Sequence, residues 1–170
     1  TYPSKSTDLP ELTGVELNFL KPDRFSFLIC SEELHFELFE KYWFGQLGVY
    51  KQPKKDKILK LDLLETLYLA KHGAKVLEFG TKEELDFKDL LELTGEEKEE
   101  VSALYDVYEE WRDRGYVVKT GFKFGTHFRI YFPGASPIRR GKQWIHSKHV
   151  IHVFPKVSSM LMSEWARAVR

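Results

Sequence analysis

The sequence predicts an α+β protein: a small N-terminal α/β domain over residues 1–95, then a C-terminal domain over 96–170 in which a mixed sheet is flanked by helices. Two observations carry this. Short runs with the two-residue period of a strand alternate with longer stretches whose apolar residues recur at helical spacing. The charge also divides unevenly along the chain. Residues 1–80 carry 11 basic and 12 acidic side chains, residues 81–110 carry 3 and 12, and residues 111–170 carry 12 and 2. The last sixty residues are therefore strongly basic although the whole chain is neutral. This basic end either pairs with the acidic segment before it or meets a polyanionic partner, for which clustered Lys and Arg supply sequence-independent affinity. At 42% hydrophobic and 15% aromatic residues, 170 residues suffice for a packed core.

Each element follows from local pattern. Residues 1–13 read as a loose leader. Residues 15–19 and 25–30 read as strands separated by the turn Lys21-Pro22-Asp23. Ser31 can cap a helix reaching Tyr42, with Leu34, Leu38, Phe39 and Tyr42 on one stripe. Residues 45–57, containing KQPKKDK, fit neither period and read as a polar loop. Its lysines either face solvent or touch a polyanion. Asp62 and Glu65 have the spacing of a capping box and open a helix that Gly73 ends. A strand over 74–79 and a short helix over 86–93 follow.

Thr94 and Glu97 repeat the capping-box spacing, and the next helix keeps Val101, Leu104, Tyr105, Tyr108 and Trp111 on one face until Gly115. The domain boundary is placed near Gly95. Beyond it come a strand over 116–120, a Gly-rich turn, a strand over 127–132, a loop over 133–141 and a strand over 149–154. In the 127–132 strand, Phe128, Ile130 and Phe132 form the expected core face, while His127, Arg129 and Tyr131 form the opposite, site-like face. Ser158 or Ser159 then caps a helix with Leu161, Trp165 and Val169 that is still running at Arg170. Three strands and two helices leave this domain unclosed, so its last strands are expected beyond Arg170.

Other features narrow the chemistry. The single cysteine, Cys30, excludes an intrachain disulfide and fits a reducing compartment, as a small buried thiol. No apolar run approaches the ~20 residues of a membrane span, and the first residues have no signal-peptide centre. A cytoplasmic protein without membrane attachment is expected. There is no P-loop, dinucleotide fingerprint, zinc-spaced cysteine pair or nucleophile elbow. His146, His149 and His152 recur every third residue, which on a strand alternates their faces and argues against one three-ligand metal site. Asp113 and Glu164 are the only carboxylates after residue 110, too few for a two-metal nuclease. No metal and no cofactor is expected.

A metal-free reaction on RNA remains open. Attack of a 2′-hydroxyl on the adjacent phosphate needs a base, an acid for the leaving 5′-oxygen and a cation for the developing charge. Tyr131, His146 and a lysine could fill these roles. A phenol of ordinary pKa, about 10, needs nearby positive charge to act as a base at neutral pH, and Arg129 shares the predicted face. Equally, Tyr131 could be a strand-edge aromatic and His146 a loop histidine.

RGYVVKTGFKFGTHFRIY, followed after a loop by HSKHVIHVFP, resembles the C-terminal catalytic domain of the archaeal tRNA-splicing endonucleases, the tRNA-intron lyases. FGQLGVYKQPKKDKILKLDLLETLYLAKHG is similar to their N-terminal domain, and the resemblance covers residues 12–170. It implies that Tyr131 is the base and His146 the acid, with His127 outside the catalytic position. It matches Arg170 to an arginine that stacks on a bulged base, an interaction suited to a guanidinium plane. Arg139, Arg140 and Lys142, in a longer loop than many relatives have, are further RNA-binding candidates. The family's catalytic lysine lies in a segment beyond Arg170. By this resemblance the chain cleaves precursor tRNA at bulge-helix-bulge junctions, leaves 2′,3′-cyclic phosphate and 5′-hydroxyl ends, and assembles as a homotetramer or, favoured here, a heterotetramer with other endonuclease subunits. The alternatives are a non-catalytic structural subunit and a basic RNA-binding domain.

Overall fold

The computed structural model describes residues 9–29, 32–49, 52–53, 58–120, 128–137 and 149–153. The fold is α+β. Strands β1 (Glu16–Leu20) and β2 (Phe25–Ile29) form an antiparallel pair, with β5 (Ile58–Leu61) antiparallel to β2 and β6 (Lys75–Glu78) parallel to β1. The resulting mixed sheet has the order β5-β2-β1-β6. Strand alternation sends Leu17, Phe19, Leu28, Leu59, Leu61 and Val76 inward, where all are buried. Against them lies α2 (Leu63–Lys71), which opens with the expected reciprocal box between Asp62 and Glu65. Gly73, at φ +112, closes it.

Several local expectations change. The leader is not loose throughout, because Leu12 is buried in the core and Leu9 packs against it. The segment after β2 begins as the short helix α1 (Glu32–His35) and continues as a wider π-helical turn, Phe36–Lys41, which still buries Leu38 and Phe39. Ser31, its expected cap, and Cys30 lie outside the described residues. The polar loop contains a two-stranded ribbon, β3 (Gly48–Val49) with β4 (Gln52–Pro53), while Lys51, Lys54, Lys55 and Lys57 lie outside the described residues. Strand β5 was not expected. Its ILKL alternation is only four residues long and becomes a strand by pairing with β2, a contact remote in sequence.

Helix α3 (Phe87–Glu92) is opened by a second reciprocal box, Asp86 with Asp89. Thr94 does not make the third. Its hydroxyl donates back to the Leu91 carbonyl, a 3-10 turn covers Gly95–Glu97, and Glu97 pairs with Arg24 at 2.7 Å instead. Helix α4 (Lys98–Asp113) then buries Val101, Tyr105 and Tyr108 as its stripe requires, and also Arg112, which the stripe does not include.

Strands β7 (Val117–Thr120), β8 (Phe128–Tyr131) and β9 (His149–Ile151) form an antiparallel sheet of order β7-β8-β9. Val118, Phe128 and Ile130 are buried, with Phe128 6.1 Å from Tyr108 of α4, centroid to centroid. Phe132 departs from the expected core face: β8 ends at Tyr131 and Phe132 is 49% exposed. One hydrophobic cluster includes Leu12 to Leu90 and Val101 to Ile130, so the core runs across Gly95 without interruption. The expected Ser158 or Ser159 helix lies outside the described residues.

Candidate functional site

The site-like face of β8 meets the loop that leaves the π-helical turn. Register pairs Val117 with Tyr131 and Lys119 with Arg129. Residues directly opposite in an antiparallel pair share a face, so Lys119, Arg129 and Tyr131 lie together, away from the face that packs on α4. Tyr131 is not an edge aromatic open to solvent. It is 3% exposed and its ring lies 4.6 Å from that of Trp43, centroid to centroid, at an interplanar angle of 49°.

Trp43 is fixed from its backbone side. The Arg112 guanidinium donates from Nη1 to the Tyr42 carbonyl at 2.7 Å and from Nη2 to the Trp43 carbonyl at 3.1 Å. Its Nε donates to the Tyr108 hydroxyl at 3.1 Å, and its plane lies 3.9 Å from the Phe44 ring centre. The Lys119 ammonium donates to the carbonyls of Trp43 and Gly45, both at 3.2 Å, and to Glu65 Oε2 at 3.0 Å. Three acceptors account for the three protons of an ammonium. Lys119 is thus committed to the scaffold and is not available as the cation for a reacting phosphate.

Glu65 closes the network. Buried at the start of α2, it accepts from the Gly45 N–H at 2.5 Å, the Asp62 N–H at 3.1 Å and Lys119. Burial pushes its carboxyl up, but the Lys119 ammonium, the Gly45 N–H and the Arg112 guanidinium outweigh that and hold it below the ordinary range. Asp62 is moved the other way, to about 7, by burial and by the Glu65 carboxylate beside it. The network brings one carboxylate and two cations to bear on residues 42–45, the segment that carries the partner of Tyr131.

Of the residues singled out in the sequence, Tyr131 and Arg129 are on one face of β8. His127, His146, Arg139, Arg140, Lys142 and Arg170 lie outside the described residues. His149 and Ile151 belong to β9, and Ile130 is the register partner of His149. Sequence reasoning missed Trp43, Arg112 and Lys119. The available signal was a charge inside an otherwise apolar pattern: Arg112 next to the α4 stripe, and Lys119 directly after Val117 and Val118.

A helical layer on a mixed sheet, joined to a second sheet that presents a half-sequestered phenol among cations, describes an α+β protein with a candidate acid–base site. Family comparison makes this specific. Residues 27–91 match the tRNA intron endonuclease N-terminal domain, and residues 101–170 match the tRNA intron endonuclease catalytic C-terminal domain. The chain is 38% identical over 133 residues to the tRNA-splicing endonuclease of Thermococcus gammatolerans, covering 78% of this chain and 70% of that protein. It is 32% identical over 143 residues to the tRNA-splicing endonuclease of Methanococcoides burtonii, covering 84% of this chain but 38% of that protein. With the enzyme of that name from Pyrococcus furiosus, identity is 44% over 82 residues, 48% of this chain and 47% of the relative. The chain belongs to the tRNA-splicing endonuclease family. Among the described residues no helix is long and apolar enough to cross a membrane.

Proposed function

We propose that this chain is a catalytic subunit of a tRNA-splicing endonuclease that cuts precursor tRNA at bulge-helix-bulge intron junctions. The observation that carries the reading is the match of residues 101–170 to the family's catalytic domain, a span that contains both Tyr131 and His146. The seating of Tyr131 at the end of β8 supports it, since a base works best when its position is fixed before substrate arrives. In the reaction, Tyr131 as phenolate takes the proton of the 2′-hydroxyl and the 2′-oxygen forms a bond to phosphorus. The bond to the 5′-oxygen breaks, and His146 as imidazolium gives that oxygen its proton. The products are a 2′,3′-cyclic phosphate and a 5′-hydroxyl. Charge developing on the non-bridging oxygens calls for a cation, the role that the resemblance gives to a lysine C-terminal to Arg170.

Because the nucleophile is the RNA's own hydroxyl, no metal-activated water is required. Arg139, Arg140 and Lys142 bind the phosphate backbone, and Arg170 stacks on a splayed bulge base, the kind of single-stranded element by which proteins recognise RNA specifically. The chain acts in the cytoplasm within an oligomer of endonuclease subunits, a heterotetramer in preference to a homotetramer.

The test is cleavage of a bulge-helix-bulge RNA in excess EDTA by the native full-length chain, with and without co-purifying partners, reading the product ends. Cyclic-phosphate products are expected, and Tyr131→Phe or His146→Ala should each slow cleavage by ~100-fold or more with RNA binding retained. Unchanged cleavage by an assembled complex carrying Tyr131→Phe would make the chain a structural subunit. Binding without cleavage or preference for bulges would make it a basic RNA-binding domain.

A further inference from the structure

Trp43 is held in a conformation that its own backbone does not favour. Its φ of +52 lies in the left-handed region, sparsely populated by residues other than glycine, and such a geometry persists only where the surroundings impose it. Here they do so from three sides. Arg112 and Lys119 both donate to its carbonyl oxygen. The next residue, Phe44, is buried beneath the Arg112 guanidinium. Gly45, one further on, is pinned by Glu65 and leaves no room to shift, because a Cβ there would stand 2.4 Å from the Lys60 carbonyl oxygen. The indole therefore cannot withdraw from the Tyr131 ring without breaking this frame.

We propose that Trp43 is a positioning residue for Tyr131: its indole forms the wall that sets the phenol's orientation toward the 2′-hydroxyl, making residues 42–45 and Glu65 of the N-terminal half part of the cleavage machinery. This rests on the reading of Tyr131 as the base. The physical demand is that a proton acceptor be aligned with the reacting hydroxyl, and a displacement of about 1 Å by a change outside the chemistry can cost ~100-fold in rate. Strand β8 fixes the Tyr131 backbone but not the rotation of its side chain. The contact with Trp43 supplies that restraint, and it comes from an element remote in sequence.

The test is single-turnover cleavage of a bulge-helix-bulge RNA by the full-length, assembled protein carrying Trp43→Leu, Trp43→Phe or Tyr131→Phe, together with the Trp43→Leu/Tyr131→Phe double variant. Trp43→Leu should slow cleavage by ~100-fold with RNA affinity unchanged, and Trp43→Phe should restore most of the rate because it keeps an aromatic wall. In the Tyr131→Phe background, Trp43→Leu should add nothing, since the two act as one unit. A 3-fluorotyrosine placed at position 131 gives a readout independent of cleavage: its 19F resonance should move in Trp43→Leu, as loss of an adjacent indole requires. Wild-type cleavage by Trp43→Leu with Tyr131→Phe inactive would overturn the proposal and leave the base assignment standing. Independent, additive losses or an unmoved 19F resonance would also overturn it. Wild-type cleavage by Tyr131→Phe would overturn the base assignment and this proposal with it.

Discussion

At the scale of single residues, the frame around Tyr131 depends on two positions whose sequence signals are weak. Gly45 is one. It has φ +71 and its missing Cβ faces the Lys60 carbonyl, so Gly45→Ala combines backbone strain with a steric clash. It should destabilise the protein by ~2 kcal/mol or more, read as a lower denaturant midpoint with unchanged slope. Glu65 is the other. Its depressed carboxyl means that the unfolded chain binds more protons as pH falls. Its contribution is therefore complete above the ordinary carboxyl range and is lost as pH drops through the lower, folded-state value. Glu65→Gln leaves the Lys119 charge buried without its carboxylate, at a cost of ~3 kcal/mol at neutral pH. Thermal melts from pH 3 to 7 should show this cost shrinking toward the acid end. An equal loss at every pH would mean that Glu65 is not held ionised. Tyr131 was legible as a candidate because alternation exposes its pattern locally. Trp43, Arg112 and Lys119 were not, because their roles arise from contacts about 70 residues apart that no local period records.

At the scale of elements, short-range chemistry was readable wherever one side chain and its nearest backbone decide the outcome. Asp62 with Glu65 and Asp86 with Asp89 both form reciprocal boxes. The same spacing at Thr94 and Glu97 fails because Gly95 opens a 3-10 turn, which moves the start of α4 to Lys98 and leaves Glu97 facing Arg24. Two substitutions separate a real cap from an apparent one. Asp86→Ala should cost ~1 kcal/mol through the lost acceptor for the Asp89 N–H. Glu97→Ala should change stability by less than about 0.5 kcal/mol, since its partner is an exposed ion pair. Urea denaturation of the two variants under one set of conditions makes the comparison. Strand β5 is the opposite case from the caps. Four residues give too little alternation to identify, and only the sheet's hydrogen bonds with β2 define it. The hairpin of β3 and β4 was obscured in the same way by a lysine-rich sequence that reads as loop.

At the scale of the molecule, the uneven charge has two readings, and the contacts of the acidic segment bear on which is right. Glu97 pairs with Arg24, Glu109 with Lys71 and Glu84 with Lys75, all basic residues of the N-terminal half, while Glu92 pairs with Lys98 in its own segment. Of the pairs named here, Glu110 turns to the basic end, meeting Arg114 four residues on along the same helix. Arg112 and Lys119 are spent on carbonyls and Glu65 of the N-terminal half. These contacts support a basic end whose surplus is directed to a polyanion and not to the acidic helix. If so, affinity for RNA must fall with salt in proportion to the phosphates neutralised, with a slope of about −0.7 to −0.9 per contact in log–log form. Replacing Arg139 and Arg140 together by Ala should weaken binding of bulged and unbulged RNA alike and make that slope shallower by about 2. Arg170→Ala should behave differently. A guanidinium that stacks on a base contributes through its plane as well as its charge, so its loss should fall mainly on bulged RNA and Arg170→Lys should not rescue it. Titrations of both RNAs at several salt concentrations resolve the two kinds of contact. A uniform loss for Arg170→Ala that Lys restores would reduce Arg170 to another phosphate ligand.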